Sequence, residues 1–324
     1  MHRLTGGVEK LARIVIRHWA RSPHGFQLTL ARSVLAASTV VVLTFNRASV
    51  LLHDPTTARA SPTSCDNLAS LGAFCIASAE HLEQVRWLLI LLCAPALLGL
   101  VPAVAAPLHA YAAFTVASNT VGIEGGDFLV ASSSLIMVVV CATDCRLHGW
   151  SARSSARPAS AYIPAQVFLL GLRVQVAYVY LEAATVKQVH PIWADGSALW
   201  YWTQQPNFGA RPEVRDLLEV VLAQGSAVHA LTWGVIVTEY VLAFAVLAAR
   251  RRLPRLLTLA LGVSMHLVFA LVLGLITFFV SMLGVLLLVT WRAGDAMPWK
   301  LFRLVRSTSR VRGGAPLRAL PRLR

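Results

Sequence analysis

The residues best suited to chemistry are gathered between positions 171 and 209, GLRVQVAYVYLEAATVKQVHPIWADGSALWYWTQQPNFG. An apolar stretch of membrane length carries Arg173, Gln175, Tyr178, Tyr180 and Glu182, ends at Lys187, and runs into an aromatic loop with His190, Trp193, Asp195, Trp200, Tyr201 and Trp202. Lys187 stands out because Lys and Arg total 29 while the only lysines are Lys10, Lys187 and Lys300, and the other two lie in basic end segments. Arginine does not give up its proton in a protein. A partly desolvated lysine can, and it then serves as a base or nucleophile.

On a helical wheel of about 100° per residue, Arg173, Tyr180 and Lys187 fall on one stripe and Gln175, Tyr178 and Glu182 on nearly the opposite face. Charges inside a bilayer face a bundle interior or a water-filled cavity, so this helix is expected to be central. Glu182 points away from Lys187, and a neighbouring helix must supply whatever tunes the lysine. Glu239, inside a later apolar run, is an intramembrane carboxylate and a site candidate, with Arg173 or Lys187 as its partner. His266, inside the run 253–291, is either a proton shuttle or quinone contact, or a satisfied interior histidine. The candidate catalytic set is therefore Lys187, Glu239 and His266. Arg173, Tyr180, His190, Trp193, Asp195 and Trp200 form the expected substrate-binding surround. A blander reading stays open: Arg173 and Glu182 pair with other helices, Lys187 snorkels to the interface, and the aromatic loop belongs to an interfacial belt.

Composition puts the elements that must position these residues in a membrane. The chain has 324 residues, 56% hydrophobic and 14% charged, with a mean hydropathy of +0.63, which is too apolar for a soluble domain of this size. No A-x-A-like cleavage site follows the first apolar stretch, which reads as an uncleaved membrane helix. Against a span of about 20 residues, the apolar runs predict helices at 28–46, 86–106, 107–121, 127–144, 161–186, 226–249, 255–272 and 274–291. The stretch 107–121 is short and polar enough for a re-entrant or interfacial piece, and 255–291 barely holds two spans turning at Gly274. The fold class expected is all-α, a polytopic integral membrane bundle of about eight transmembrane helices with both termini cytoplasmic.

The net charge of +14 records topology and not a nucleic-acid partner. Arginines cluster at 3–32, 146–157, 250–255 and 292–324, flanking the apolar runs as the positive-inside rule requires of cytoplasmic segments. Loops 47–85 and 187–225 then lie outside. The chain divides into a basic amphipathic segment 1–25, in which Leu4, Val8, Leu11, Val15 and Trp19 recur at helical spacing, a transmembrane domain 26–292, and a basic tail 293–324. Cys65 and Cys75 share the first outer loop, where a disulfide would persist, although spacing alone leaves the bond open. Cys93, Cys141 and Cys145 are membrane or cytoplasmic-edge residues; Cys141 and Cys145, four apart on a helix, read as small core residues with no zinc-like company, and no metal is expected. Asp127 suits a helix cap after Gly125 and Gly126, and Asp144 a structural pair with Arg146.

Lys187 followed by Trp193, Asp195-Gly196 and Ser197-Ala198-Leu199 resembles the signature of the horizontally transferred transmembrane (HTTM) domain superfamily, best known from the vitamin K-dependent gamma-carboxylase. Within it, the chain is most similar to the sporulation-delaying protein SdpB family. LARSVLAASTVVVLTFN, Gly125-Gly126-Asp127, DCRLHGW, ALWYWTQQPNFG, LTWGVIVTEY around Glu239 and MHLVFALVLGLITFFVSML around His266 extend the likeness in order over about residues 30–291.

The resemblance implies that Lys187 is a base whose amine activates a quinol of the vitamin K type on the outer side of the membrane. Neighbouring arginines and an apolar wall would disfavour its charged form. Where the carboxylase has two adjacent lysines this chain has Lys187 and Gln188, and it lacks the carboxylase's long extramembrane C-terminal region, so glutamate carboxylation is not expected. The SdpB family acts in production of a secreted peptide toxin with a small partner, SdpA, and a precursor, SdpC. The expected function is maturation of an antimicrobial peptide at the outer face of the bacterial cell membrane, in a multi-pass protein whose partners are the lipid bilayer, an SdpA-like protein and an SdpC-like precursor. A transporter or an assembly factor for toxin export stays open. No Walker loop, Rossmann fingerprint, H-E-x-x-H helix or G-x-S-x-G elbow occurs.

Overall fold

The computed structural model describes residues 22–53, 60–122, 124–151, 157–206 and 209–290. The amphipathic segment and the basic tail expected at 1–25 and 293–324 fall outside the described residues except for 22–25. Within the described residues the chain is all-helical. Besides two short helical turns at Ala48–Leu51 and Ala73–Ile76, the helices are α1 Phe26–Phe45, α2 Leu82–Leu97, α3 Pro102–Asn119, α4 Gly125–Cys141, α5 Ile163–Val189, α6 Pro191–Ala194, α7 Ala198–Gln204, α8 Pro212–Leu222, α9 Gly225–Ala248, α10 Arg252–Leu273 and α11 Ile276–Thr290. Four segments, Phe26–Phe45, Ser160–Val189, Gly225–Ala248 and Arg252–Leu273, are long and apolar enough to cross a membrane, while α4 and α11 are shorter apolar helices. This is a membrane protein by length and composition.

Local chemistry sets the helix ends. Pro102, Pro191 and Pro212 open α3, α6 and α8, where a missing N–H costs nothing. Glu124 and Asp127 form a reciprocal capping box at the start of α4, Asp127 accepting from the Glu124 N–H at 3.0 Å. Gly274 adopts φ +73° between α10 and α11, a left-handed conformation that glycine takes without a Cβ penalty. The boundary expected near 106/107 is displaced: α3 begins at Pro102 and carries Pro107 inside it, because Gly99 at φ +74° already turns the chain.

Helix α11 is the hub, packing on α1, α4, α5 and α10. Around it, α1 to α4 form one group and α5, α9 and α10 another. The fully buried side chains Leu35, Met137, Leu172, Leu242, Met282 and Leu286 fill the shared core. Because lipid tails are as apolar as leucine, such helices are held together by close packing and interhelical hydrogen bonds. Ser38 meets Ser281 at 2.7 Å, and Gln175 donates to Ser132 at 2.6 Å. His109 bridges Thr39 at 3.1 Å and Ser134 at 3.3 Å. Each such bond contributes about 0.6–2 kcal/mol.

Candidate functional site

Helix α5 runs its polar stripe into the bundle, and each residue on it finds a different neighbour. Lys187 Nζ lies 2.8 and 2.9 Å from the two carboxylate oxygens of Glu239 on α9. The lysine side chain turns back along its own helix, so that Nζ also approaches the Ala183 carbonyl at 3.4 Å. It does not snorkel outward. The Lys187 side chain is 22% exposed and that of Glu239 7%. At 1.5 Å per residue, Glu239 is about 21 Å along α9 from Gly225 and about 14 Å from Ala248, so the pair joins the last turn of α5 to the middle of α9.

One helical stretch earlier on α5, the Tyr180 hydroxyl meets His266 Nε2 of α10 at 3.0 Å. Both residues are 3% exposed, and the rings of Phe269 and Phe278 stand edge-on against the imidazole. His266 Nδ1 is buried with no hydrogen-bond partner. Whichever tautomer forms, one ring nitrogen is left with an unmet donor or acceptor, an arrangement that invites a polar ligand group or a water.

The connection after α5 folds back over the pair. Trp193 places its ring 5.3 Å from Lys187 Nζ, within cation–π range. The exposed His190 caps α6, its carbonyl accepting from the Trp193 and Ala194 N–H groups at 3.0 and 2.9 Å. Asp195 turns its carboxylate onto Ser197, accepting from the backbone N–H at 2.9 Å and the hydroxyl at 2.6 Å, and these bonds hold its carboxyl below the usual carboxylate range. Gly196 follows at φ +81°, where a Cβ would lie 2.2 Å from His229 Nδ1. Only glycine fits here, and it lets the Asp195 carbonyl reach the same ring nitrogen of α9 at 3.3 Å. Trp200 is half-buried on α7, whose Leu199 N–H donates to Thr232 of α9 at 3.3 Å.

Arg173 does not belong to this group. It lies fourteen residues before Lys187, about 21 Å along the helix, and its Nε donates to the Val289 carbonyl of α11 at 3.1 Å. Arg255 donates to the adjacent Thr290 carbonyl at 3.3 Å, so both cations serve the last described turn of α11, as cations do at helix C-termini. The arginine and apolar wall expected around Lys187 is thus replaced by a carboxylate. The opposite α5 face splits: Gln175 is satisfied by Ser132, whereas Tyr178 and Glu182 face outward.

The remaining candidates lie apart from this group. Asp144 is clasped by Arg146 through Nε at 2.8 Å and Nη2 at 2.7 Å. Burial pushes its carboxyl up, but the Arg146 hydrogen bonds and charges outweigh that and hold it below the ordinary value. Cys65 and Cys75 are joined by a disulfide. Among the described residues no group of three or more His, Cys, Asp or Glu could hold a metal ion. An open apolar groove of about 380 Å³ between α9 and α10, lined by Val241, Ala248, Pro254 and Leu257, lies toward the far end of α9 and holds none of these groups.

Sequence reasoning passed over a second buried polar set. Arg32 of α1 is 2% exposed, with Nε and Nη2 unpaired and Nη1 only 3.7 Å from the Cys141 sulfur. His109, between Thr39 and Ser134, is 1% exposed. The signal was available, since both are polar residues inside apolar runs.

Known proteins resemble the chain over most of its length. It is 28% identical to the uncharacterized protein YitO of Bacillus subtilis strain 168 over 284 residues, covering 87% of this chain and 90% of YitO. It is 27% identical to Sporulation-delaying protein SdpB of the same bacterium over 240 residues, covering 73% of this chain and 72% of SdpB. These similarities relate the chain to SdpB. No family profile matches it, and no solved structure does.

Proposed function

We propose that this chain is a multi-pass protein of the bacterial cell membrane that matures a secreted antimicrobial peptide, with Lys187 and Glu239 as its reactive pair. Similarity to SdpB over 73% of the chain supports the link to toxin production. The observation that carries the chemical half is the contact of Lys187 Nζ with both Glu239 oxygens inside the bundle. The lysine can pass a proton to the carboxylate with no change in net charge. A neutral amine and a neutral acid then share the same hydrogen bond, which avoids stranding a lone charge among apolar helices. Trp193 covers the amine.

The topology this reading uses has eight crossings, α1 to α5 and α9 to α11, with both termini cytoplasmic and the α5–α9 connection outside. The HTTM resemblance adds a quinol, and the residues fit one in a specific respect: the unpaired Nδ1 of His266, beside Tyr180, suits a hydroxyl or carbonyl on a small ring. Lys187, Tyr180 and His266 would hold it. Bound there, a quinol would supply an ionisable hydroxyl for the amine to deprotonate.

The test is mass spectrometry of the secreted peptide from cells carrying the natural precursor and partner with wild-type protein, Lys187→Arg, Lys187→Ala or Glu239→Gln at matched membrane abundance. Loss of mature peptide in all three, with precursor accumulating, is the expected result. The ion pair favours one second reading, an assembly or export factor in which Lys187 and Glu239 only join α5 to α9; there Lys187→Arg keeps the pair and peptide production continues.

A further inference from the structure

The α7–α8 connection carries its apolar groups on the outside. In α8, Leu217 is 73% exposed, Val220 69% and Val221 43%. Leu222 is buried and Glu219 turns inward, accepting from Gln204 of α7 at 3.2 Å. A helix resting on a protein in water would do the reverse, putting its carboxylate out and its valines in. In α7, Tyr201 and Trp202 are likewise 51% and 37% exposed, side chains whose apolar rings and polar tips suit a membrane–water boundary.

The level at which this connection sits points the same way. Its first residues meet α9 at Thr232, through the Leu199 N–H, and the turn just before it meets α9 at His229, through the Asp195 carbonyl, about 10 and 6 Å below the first turn of a helix long enough to cross the bilayer. Leu231 and Val237 on α9 and Val186 and Val189 on α5 are likewise exposed apolar side chains, on helices long and apolar enough to cross a membrane. Asp216, exposed on the same helix, borders the apolar face on one side, where a headgroup region would begin.

We infer that residues 198–222 are not a water-exposed loop but an interfacial collar, with the Leu217, Val220 and Val221 face of α8 and the Tyr201 and Trp202 rings of α7 seated in the lipid of the adjacent leaflet. The partner is the bilayer surface itself. Because Trp193 and Gly196 lead directly into this collar, the segment covering Lys187 is anchored in lipid and not only in protein. This inference stands whether or not Lys187 is catalytic.

The experiment uses the full-length protein with Cys145→Ser, the disulfide intact, reconstituted in vesicles of mixed zwitterionic and anionic phospholipid. Spin labels are attached at single cysteines replacing Asp216, Leu217, Val220 or Val221. Labels at 217, 220 and 221 should collide more with dissolved oxygen than with a water-soluble nickel chelate, at a depth of roughly 5–10 Å, and the label at 216 should show the reverse preference. Preference for the chelate at all four positions would overturn the proposal. So would spin–spin broadening that grows with protein-to-lipid ratio, which would mean that a second copy covers the face. Unlabelled wild-type protein provides an independent check, since hydroxyl-radical footprinting should modify Leu217 less in vesicles than Leu68 or Ile76, which are as exposed. Equal modification would count against lipid cover.

Discussion

Lys187 and Glu239 lie 52 residues apart in the chain and meet with both carboxylate oxygens within 2.9 Å of the ammonium. The contact joins the last turn of α5 to the middle of α9.

Removing one member of this pair should cost more than removing both. Glu239→Gln strands a partly buried ammonium and should destabilise the protein by about 3 kcal/mol, whereas Lys187→Met with Glu239→Leu should recover most of that loss. Thermal unfolding of the four proteins in one detergent measures the coupling. A coupling below about 0.5 kcal/mol would show that the contact carries no weight.

Tyr180→Phe leaves His266 with neither ring nitrogen paired in a 3% exposed site. The expected loss is about 1–3 kcal/mol. Combining it with His266→Leu should cost less than the sum of the two single changes, since the second removes the unpaired group.

Gly196→Ala forces a side chain into a left-handed turn and against His229. The conformational cost is about 1–2 kcal/mol, and the contact must also break the Asp195–His229 hydrogen bond. Greater solvent quenching of tryptophan fluorescence in the variant, with unchanged helix content, would show that the cover over Lys187 has loosened.

His24 makes stability depend on pH at the other end of the bundle. Burial pushes its pKa down to about 4, against the pull of Asp144, so between pH 6.5 and 4 the unfolded chain takes a proton that the folded one refuses. The stability is present in full above pH 6.5 and is lost as pH falls through that window. The melting temperature should drop from pH 7 to pH 4.5, and His24→Gln should flatten the slope.

The disulfide closes the loop from Cys65 to Cys75, a separation of ten residues. Opening a ring of this size should cost about 2–3 kcal/mol of local stability. Hydrogen exchange should accelerate at residues 63–76 on reduction while α5 and α9 are unchanged, and acceleration across the whole chain would contradict a local role.

The sequence by itself determined the class of the molecule and the inward stripe of its key helix. Continuous apolar runs of membrane length, separated by Arg-rich, Gly- and Pro-bearing segments, become helices in lipid, because a helix meets its backbone hydrogen bonds within its own segment, whereas the strands of a closed barrel are short and alternate apolar with polar residues. The seven-residue spacing of Tyr180 and Lys187 follows from helical periodicity alone, and so does the outward face of Glu182. What periodicity cannot supply is the level at which one helix meets another. Arg173 shares the stripe with Lys187, yet it is about 21 Å away along the axis and holds the end of α11 instead. Glu239 could have faced either cation, and only the antiparallel packing of α5 on α9 chose Lys187. The inside-out arrangement of α8 and the unpaired nitrogen of His266 were likewise decided by tertiary structure, since whether a side chain is exposed or satisfied depends on neighbours that the local sequence does not name.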